Sequence, residues 1–361
     1  MRIAVVGTGL IGGSVGLAAA AAGHEVVGFD ADPAALVRAQ ERGAVGSCAD
    51  GVTGAAAGAD LAVVAVPVGA VAETVVAALD AGAAVVTDVG SVKSAVVDTV
   101  VAERRAAAGR FVAGHPMAGS EQGGIEAARA DLFIGATWVL TPTADSDDSA
   151  YACVRALVRD LGAEAVAVTP QEHDALVALV SHVPQLAAST LMDVAATHEA
   201  HHRALLQLAA GGFRDMTRIA ASHPEIWLDI LAANRDAVLA GLDAYTAALG
   251  AAREWIAAGD IDALAGLLAR ARSARRNLPV GTGSAADLVE IRVPVPDRAG
   301  VLAEVTTLAG RLGVNIADVE IAHSIEGRAG VLVLVVPSSR AEELADGLRA
   351  LGYAPGRTDL A

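Results

Sequence analysis

The apolar positions of this chain change their period twice. As far as Pro170, short apolar runs of strand length alternate with stretches of helical spacing. Runs at 2–6, 25–29, 61–66, 84–88, 138–140 and 165–168 read as strands, and a further run ends at His115. Residues 61–66 are apolar at every position, as in a parallel strand buried on both faces, and Pro67 closes the run. A polar loop follows at 141–149. From Gln171 to Asn277 no strand pattern remains, and Leu176, Val177, Leu179, Val180, Val183 and Leu186 recur at helical spacing. Pro184 predicts a kink there, with His182 just before it. Gly211 and Gly212 break the helical run, Pro224 restarts it, and a long pair of alanine- and leucine-rich helices runs to about Asn277. After a linker at 277–286, the period returns to two. Strands at 288–295, 314–323 and 330–336, helices at 299–312 and 339–350, a turn at 326–328 and a last strand near Tyr353 give the order βαββαβ, which is ferredoxin-like.

Three regions follow: 1–169, α/β with a doubly wound sheet; 170–278, all-helical and suited to pairing with a second copy; and 287–361, ferredoxin-like. The 361 residues suffice for them. A net charge of −16, from 26 basic and 42 acidic residues, argues against nucleic acid or an anionic membrane surface as partner. No apolar run approaches the roughly 20 residues that span a bilayer, and residues 1–7 begin a strand, not a signal peptide. Cys48 and Cys153 are the only cysteines, without metal-like spacing. A soluble, cytoplasmic protein in a reducing compartment is expected. His198, His201 and His202 read as a solvated helix face, and no metal is expected. Lys93 is the sole lysine, which suggests a position needing a compact ammonium where a guanidinium will not serve.

The candidate chemistry gathers where strands end. The first strand runs into Gly7-Thr8-Gly9-Leu10-Ile11-Gly12, and a helix follows. In that context the glycines have separate tasks: Gly7 makes the tight turn, Gly9 lets a pyrophosphate approach the backbone, and Gly12 packs helix against strand. Asp30, closing the second strand, can accept hydrogen bonds from a ribose hydroxyl and would repel a 2′-phosphate, so NAD is expected over NADP. Pro67 is assigned to the same cofactor site. Ser91 reads either as the N-cap of the next helix or as a ligand-facing residue at the carboxyl end of its strand. His115, held extended by Pro116, should line the same crevice, where an imidazole can exchange protons near neutral pH.

Four stretches carry a resemblance: Gly7 to Gly12; Asp88-Val89-Gly90-Ser91-Val92-Lys93; Gly114 to Glu121; and Gly211 to Ile219 with Trp227. Together they resemble the prephenate and arogenate dehydrogenases of tyrosine biosynthesis, over about residues 1–280, and the terminal unit resembles an ACT regulatory domain. The first stretch is shared by many dehydrogenases; the other three in this order are specific. The resemblance implies a Rossmann-type domain, NAD, and oxidative decarboxylation of a ring whose aromatisation drives the step. It implies that His115 takes the ring hydroxyl's proton and that Ser91 orients it. Arg218 would bind the side-chain carboxylate, while Glu121, His182, Asp215 and Trp227 shape or gate the pocket. Asp215 reads equally as a helix cap or partner of Arg214. Met216 stands where relatives carry an aromatic residue. In the ACT-like unit, Arg298, Gly300 and Asn315, the last on the following strand, are the candidate amino-acid site, with tyrosine the expected effector; Ala299 replaces a proline common in relatives.

Prephenate and arogenate, which differ in a keto or amino side chain, are not separated by these residues. A different class, an idle protein sensing NAD and an amino acid, would need the glycine loop and the ACT-like unit but not His115, Ser91 and Arg218.

Overall fold

The computed structural model describes residues 1–119, 123–199, 209–276, 288–296, 298–323 and 329–359. Glu121, His201, His202, the whole linker at 277–286 and the turn at 326–328 lie outside them. The chain divides into two compact units, Met1–Leu249 and Gly250–Ala361.

The first unit is built on an eight-stranded sheet. Its strands are β1 (Arg2–Val6), β2 (Glu25–Phe29), β3 (Ser47–Cys48), β4 (Leu61–Val64), β5 (Val85–Asp88), β6 (Phe111–Pro116), β7 (Thr137–Thr141) and β8 (Glu164–Ala167). Their order is β3-β2-β1-β4-β5-β6-β7-β8. Side chains alternate between two cores. Ile3, Val5, Leu61 and Val63 enter one, while Ala4, Val6, Ala62 and Val64 enter the other. This is the doubly wound arrangement that uninterrupted apolar runs predict. The order reverses between β1 and β4, so ligands belong at the carboxyl ends of these strands.

Two sheet features depart from the sequence pattern. β3 is only two exposed residues long, too short for a period. β7 runs antiparallel to β6, because the described residues between them carry a 3₁₀ turn at Ile125–Ala127 and no crossover helix.

Beyond β8, Thr169 and Glu172 form a reciprocal capping box and Pro170 opens the helix Pro170–Val177. Where Pro184 predicts a kink, the structure has a π-helical turn, Ala178–His182, leading into the helix Val183–Glu199. A proline lacks its N–H and crowds the preceding turn, which a wider turn relieves. Against the expectation that no apolar run approaches spanning length, the helical stretch Pro170–Thr197 is long and apolar enough, by length and composition, to cross a membrane. It carries His173, Asp174, His182 and Gln185 as buried polar residues, and the first three are hydrogen-bonded to other elements of this unit. Gly211–Thr217, Pro224–Ala233 and Arg235–Ala258, the last running past Leu249, complete its helices, and Ile261–Arg276 belongs to the second unit; no strand occurs among the described residues from 171 to 276.

The second unit carries β9 (Leu288–Pro296), β10 (Asp318–His323), β11 (Ala329–Pro337) and β12 (Gly356–Asp359), with helices Val301–Arg311 and Ala341–Ala350. The order β10-β11-β9-β12, antiparallel throughout, is the expected ferredoxin-like sheet. Asn315 is not on a strand as expected: Gly313, with φ +63°, ends the helical segment, and β10 does not begin until Asp318.

Candidate active site

The glycine loop has the form its spacing predicts. Gly7 adopts φ +91° and its N–H reaches the Phe29 carbonyl at 2.8 Å. A side chain at Gly7 would strike the Ala65 carbonyl, and one at Gly12 the Gly7 carbonyl, whereas the space beside Gly9 is open. The helix Leu10–Ala21 starts there with no side-chain cap, leaving amide donors for an anion. Leu10 and Ile11 are half-buried. Thr8 is fully buried and holds Asp30: its N–H lies 2.6 Å and its hydroxyl 3.0 Å from Asp30 Oδ2. Asp32 N–H occupies Asp30 Oδ1 at 2.9 Å. Pro67 is exposed at the start of the helix Val68–Asp80.

Behind the neighbouring strand ends lies a buried ionic clamp. Lys93 and Asp88 are both wholly buried and form an ion pair. Lys93 Nζ also donates to the Gly114 carbonyl at 2.7 Å. Asp88 accepts the N–H of Gly90 at 2.9 Å and of Gly114 at 3.1 Å. Burial pulls the Lys93 ammonium below its ordinary pKa, opposed by the Asp88 charge. The clamp ties the β5 turn to β6 at the residue before His115.

Ser91 is half-buried in that turn and is not the N-cap. The Gly90–Asp88 bond draws the chain into a turn, and the helix Ser94–Arg104 begins later. Its first amides are satisfied from afar: Asp174 Oδ1 accepts Lys93 N–H and Asp174 Oδ2 accepts Ser94 N–H, each at 2.8 Å.

His115 occupies the penultimate position of β6. Its Nδ1 lies 2.9 Å from His173 Nε2, and His173 Nδ1 lies 2.8 Å from Asp174 Oδ1. Burial above all, then the charge of Lys93, with His173 and His182 adding, drives the His115 pKa well below 6.5 against the opposing pull of Asp174. Burial would raise the Asp174 carboxyl, but hydrogen bonds from His173, Lys93 and Ser94 outweigh it and hold the carboxyl low. Asn234 Nδ2 donates to the Asp174 carbonyl at 2.9 Å and lies 3.2 Å from His182 Nδ1. The His182 ring meets Trp227 edge-on at 6.1 Å, and burial lowers its pKa. Such an arrangement presents a neutral imidazole, held from behind, that can accept a proton.

The structure therefore brings His115, His182 and Trp227 into one network and sets Ser91 in the adjoining turn. Asp215 and Arg218 are exposed, on the helix Gly211–Thr217 and the following turn Arg218–Ala221. Asp215 lies inside that short helix and is not its N-cap, a position Ala210 takes. Met216 is 54% exposed. In the second unit, Gly300 starts its helix at φ +92°, Arg298 pairs with Glu304 at 3.0 Å, Tyr353 donates to the same carboxylate at 2.8 Å, and Asn315 is exposed. Sequence reasoning missed Asp88, His173, Asp174 and Asn234. The available signal was the capping box, which sets an adjacent His–Asp pair into the first turns of a helix.

Comparison with known proteins agrees with this architecture. Residues 15–167 match the prephenate dehydrogenase nucleotide-binding domain, 169–270 the prephenate dehydrogenase dimerization domain and 289–356 the ACT domain. A prephenate dehydrogenase of Bacillus subtilis (strain 168) is 33% identical, covering 91% of this chain and 90% of its own. A crystal structure of prephenate dehydrogenase from A. aeolicus, in complex with hydroxyphenyl propionate and NAD+, superposes with a TM-score of 0.72 at 27% identity, covering 77% of this chain and 98% of that one. Synechocystis arogenate dehydrogenase gives 0.68 at 30% identity, covering 76% and 99%. With its nucleotide-binding, helical and ACT segments all matched in order, the chain belongs to the prephenate dehydrogenase family.

Proposed function

We propose that this chain catalyses NAD-dependent oxidative decarboxylation of prephenate to 4-hydroxyphenylpyruvate, with arogenate, giving tyrosine, as the alternative substrate. The observation that carries this reading is His115, neutral and backed by His173 and Asp174, at the carboxyl edge of a sheet whose glycine loop stands open. Purified protein with NAD and either substrate, followed by NADH absorbance, tests it.

The loop fits a dinucleotide: backbone fills the space beside Gly7 and Gly12, and Gly9 leaves it open. Gly7, Thr8, Gly9, Leu10, Ile11 and Gly12 would hold the pyrophosphate, Asp30 a ribose hydroxyl, and Pro67 would flank the cofactor. When bound, NAD supplies the acceptor for the ring hydride. Thr8 fixes the Asp30 carboxylate for its task. His115 Nε2 takes the ring hydroxyl's proton as the carbonyl forms, and Ser91 helps orient both. The ring carboxylate leaves as carbon dioxide. Glu121, His182, Asp215 and Trp227 shape the pocket. Relatives named for prephenate and for arogenate both support this chemistry.

Arg218 is assigned to the substrate's side-chain carboxylate, which a planar guanidinium grips with two parallel hydrogen bonds. Hydrogen bonds to charged groups are worth about 1.5–3 kcal/mol. Arg218→Ala should therefore raise KM about 10- to 100-fold with a much smaller change in kcat. An unchanged KM removes Arg218 from the site.

Residues 1–169, 170–278 and 287–361 are proposed as cofactor, dimerisation and regulatory domains of a cytoplasmic homodimer. Leu176, Leu179, Val180 and Val194 each expose more than half their surface, which supports a second copy as partner of the helices. The ACT unit is proposed to sense tyrosine at Arg298, Gly300 and Asn315, a role that requires tyrosine to bind two arrangements of the dimer unequally. Truncation after Asn277 should leave activity and abolish tyrosine inhibition; inhibition that persists would place the inhibitor beside His115 and Arg218 instead.

A further inference from the structure

Asp174 has three hydrogen-bond donors at 2.8 Å: the amides of Lys93 and Ser94 and the Nδ1 of His173. It is an acceptor on both oxygens, so His173 carries its proton on Nδ1. In neutral His173 the other nitrogen, Nε2, is then a lone pair. It lies 2.9 Å from His115 Nδ1, which must be the donor, since two lone pairs would repel. The tautomer of His115 follows: proton on Nδ1, lone pair on Nε2. His173 and Asp174 are 1% and 5% exposed, and Asn234, between the helices Pro224–Ala233 and Arg235–Ala258, pins the Asp174 carbonyl.

We propose that His173 is a proton-relay residue for His115, passing on the charge that the reaction delivers to it. The inference rests on the dehydrogenase reading above. As His115 Nε2 takes the ring hydroxyl's proton, the Nδ1 proton of His115 moves to His173 Nε2. His115 ends neutral, and His173 becomes an imidazolium whose Nδ1–H remains on the Asp174 carboxylate. After product leaves, His115 gives the Nε2 proton to solvent and recovers the Nδ1 proton from His173. No electrons move in the relay, and the proton count closes.

The surroundings explain why the charge moves on. Around His115 stand Lys93, itself paired with Asp88, from the β5 side, and His173, Asp174, His182 and Asn234 from the helices. Burial disfavours a cation on either ring, and one left on His115 faces the Lys93 ammonium as well. A cation on His173 touches a carboxylate at 2.8 Å. Two rings locked at hydrogen-bond distance let the proton cross without moving a side chain.

His173→Gln separates relay from orientation. The glutamine carbonyl can still accept the His115 Nδ1–H and keep its tautomer, but it cannot carry the proton. The expected result is a kcat about 10²-fold lower, the low end for acid–base assistance, with KM within a few-fold of wild type. In His173→Ala, added imidazole should restore part of kcat. On wild-type protein, kcat against solvent deuterium fraction should curve, as two protons move together. Wild-type kcat in His173→Gln overturns the relay. Should that variant not fold, a linear deuterium dependence in the wild type overturns it equally. Wild-type protein that forms no NADH from either substrate overturns the assigned activity itself, a result distinct from an active wild type beside an unimpaired variant.

Discussion

His115→Asn lowers kcat by about 10²- to 10⁴-fold, the usual worth of a positioned general base, and leaves KM for substrate and NAD within a few-fold of wild type. Asparagine is close in shape and its amide can still donate to His173 Nε2, so the network behind it survives. It cannot take a proton. Loss confined to kcat marks a group that acts in the transition state, and a variant turning over at the wild-type rate would remove His115 from the chemistry. The pH profile carries the same information. His115 works as the neutral ring, and burial with the Lys93 charge lowers its pKa well below 6.5. Activity is therefore full above 6.5 and falls only as the pH drops through that lowered value. An acid limb centred at or above 6.5, read from kcat/KM, would contradict the buried setting.

The second large effect is on stability. Lys93→Met should destabilise the first unit by about 3–5 kcal/mol, the cost of breaking a buried ion pair by removing one partner. Asp88 would keep a wholly buried carboxylate with only the Gly90 and Gly114 amides to offset it. Lys93→Arg should also fail, because a planar guanidinium does not reproduce the compact ammonium at this wholly buried site. Chemical denaturation followed by the fluorescence of buried Trp138 measures the shift. A change below about 1 kcal/mol, the scale of an exposed pair, would mean that the clamp is dispensable.

Sequence pattern carried the middle of the sheet because β1, β4 and β5 are buried on both faces, so apolar runs and glycine punctuation survive in the chain. His115 was legible for a local reason: Pro116 fixes its backbone and a strand leads into it. Lys93 stood out by its singularity, but its task depends on Asp88 and on the Gly114 carbonyl, which only folding brings together. His173 and Asp174 carried no such mark. Their partners lie 58 and about 80 residues away in sequence, and adjacent His and Asp near a helix start look like ordinary capping residues. Of the two readings of Ser91, the cap fails for the same reason: the carboxylate that caps its helix comes from another element. The antiparallel turn of β7 was hidden because strand direction leaves no trace in an apolar run.

The most direct test of the central reading is product stoichiometry. Purified full-length protein is mixed with NAD and prephenate, and separately with arogenate, and NADH and carbon dioxide are measured together. The expected result is equimolar NADH and carbon dioxide from at least one substrate, formed about 10²- to 10⁴-fold more slowly by His115→Asn. Protein that binds NAD but forms neither product from either substrate would contradict the assignment and favour an idle sensor of cofactor and amino acid.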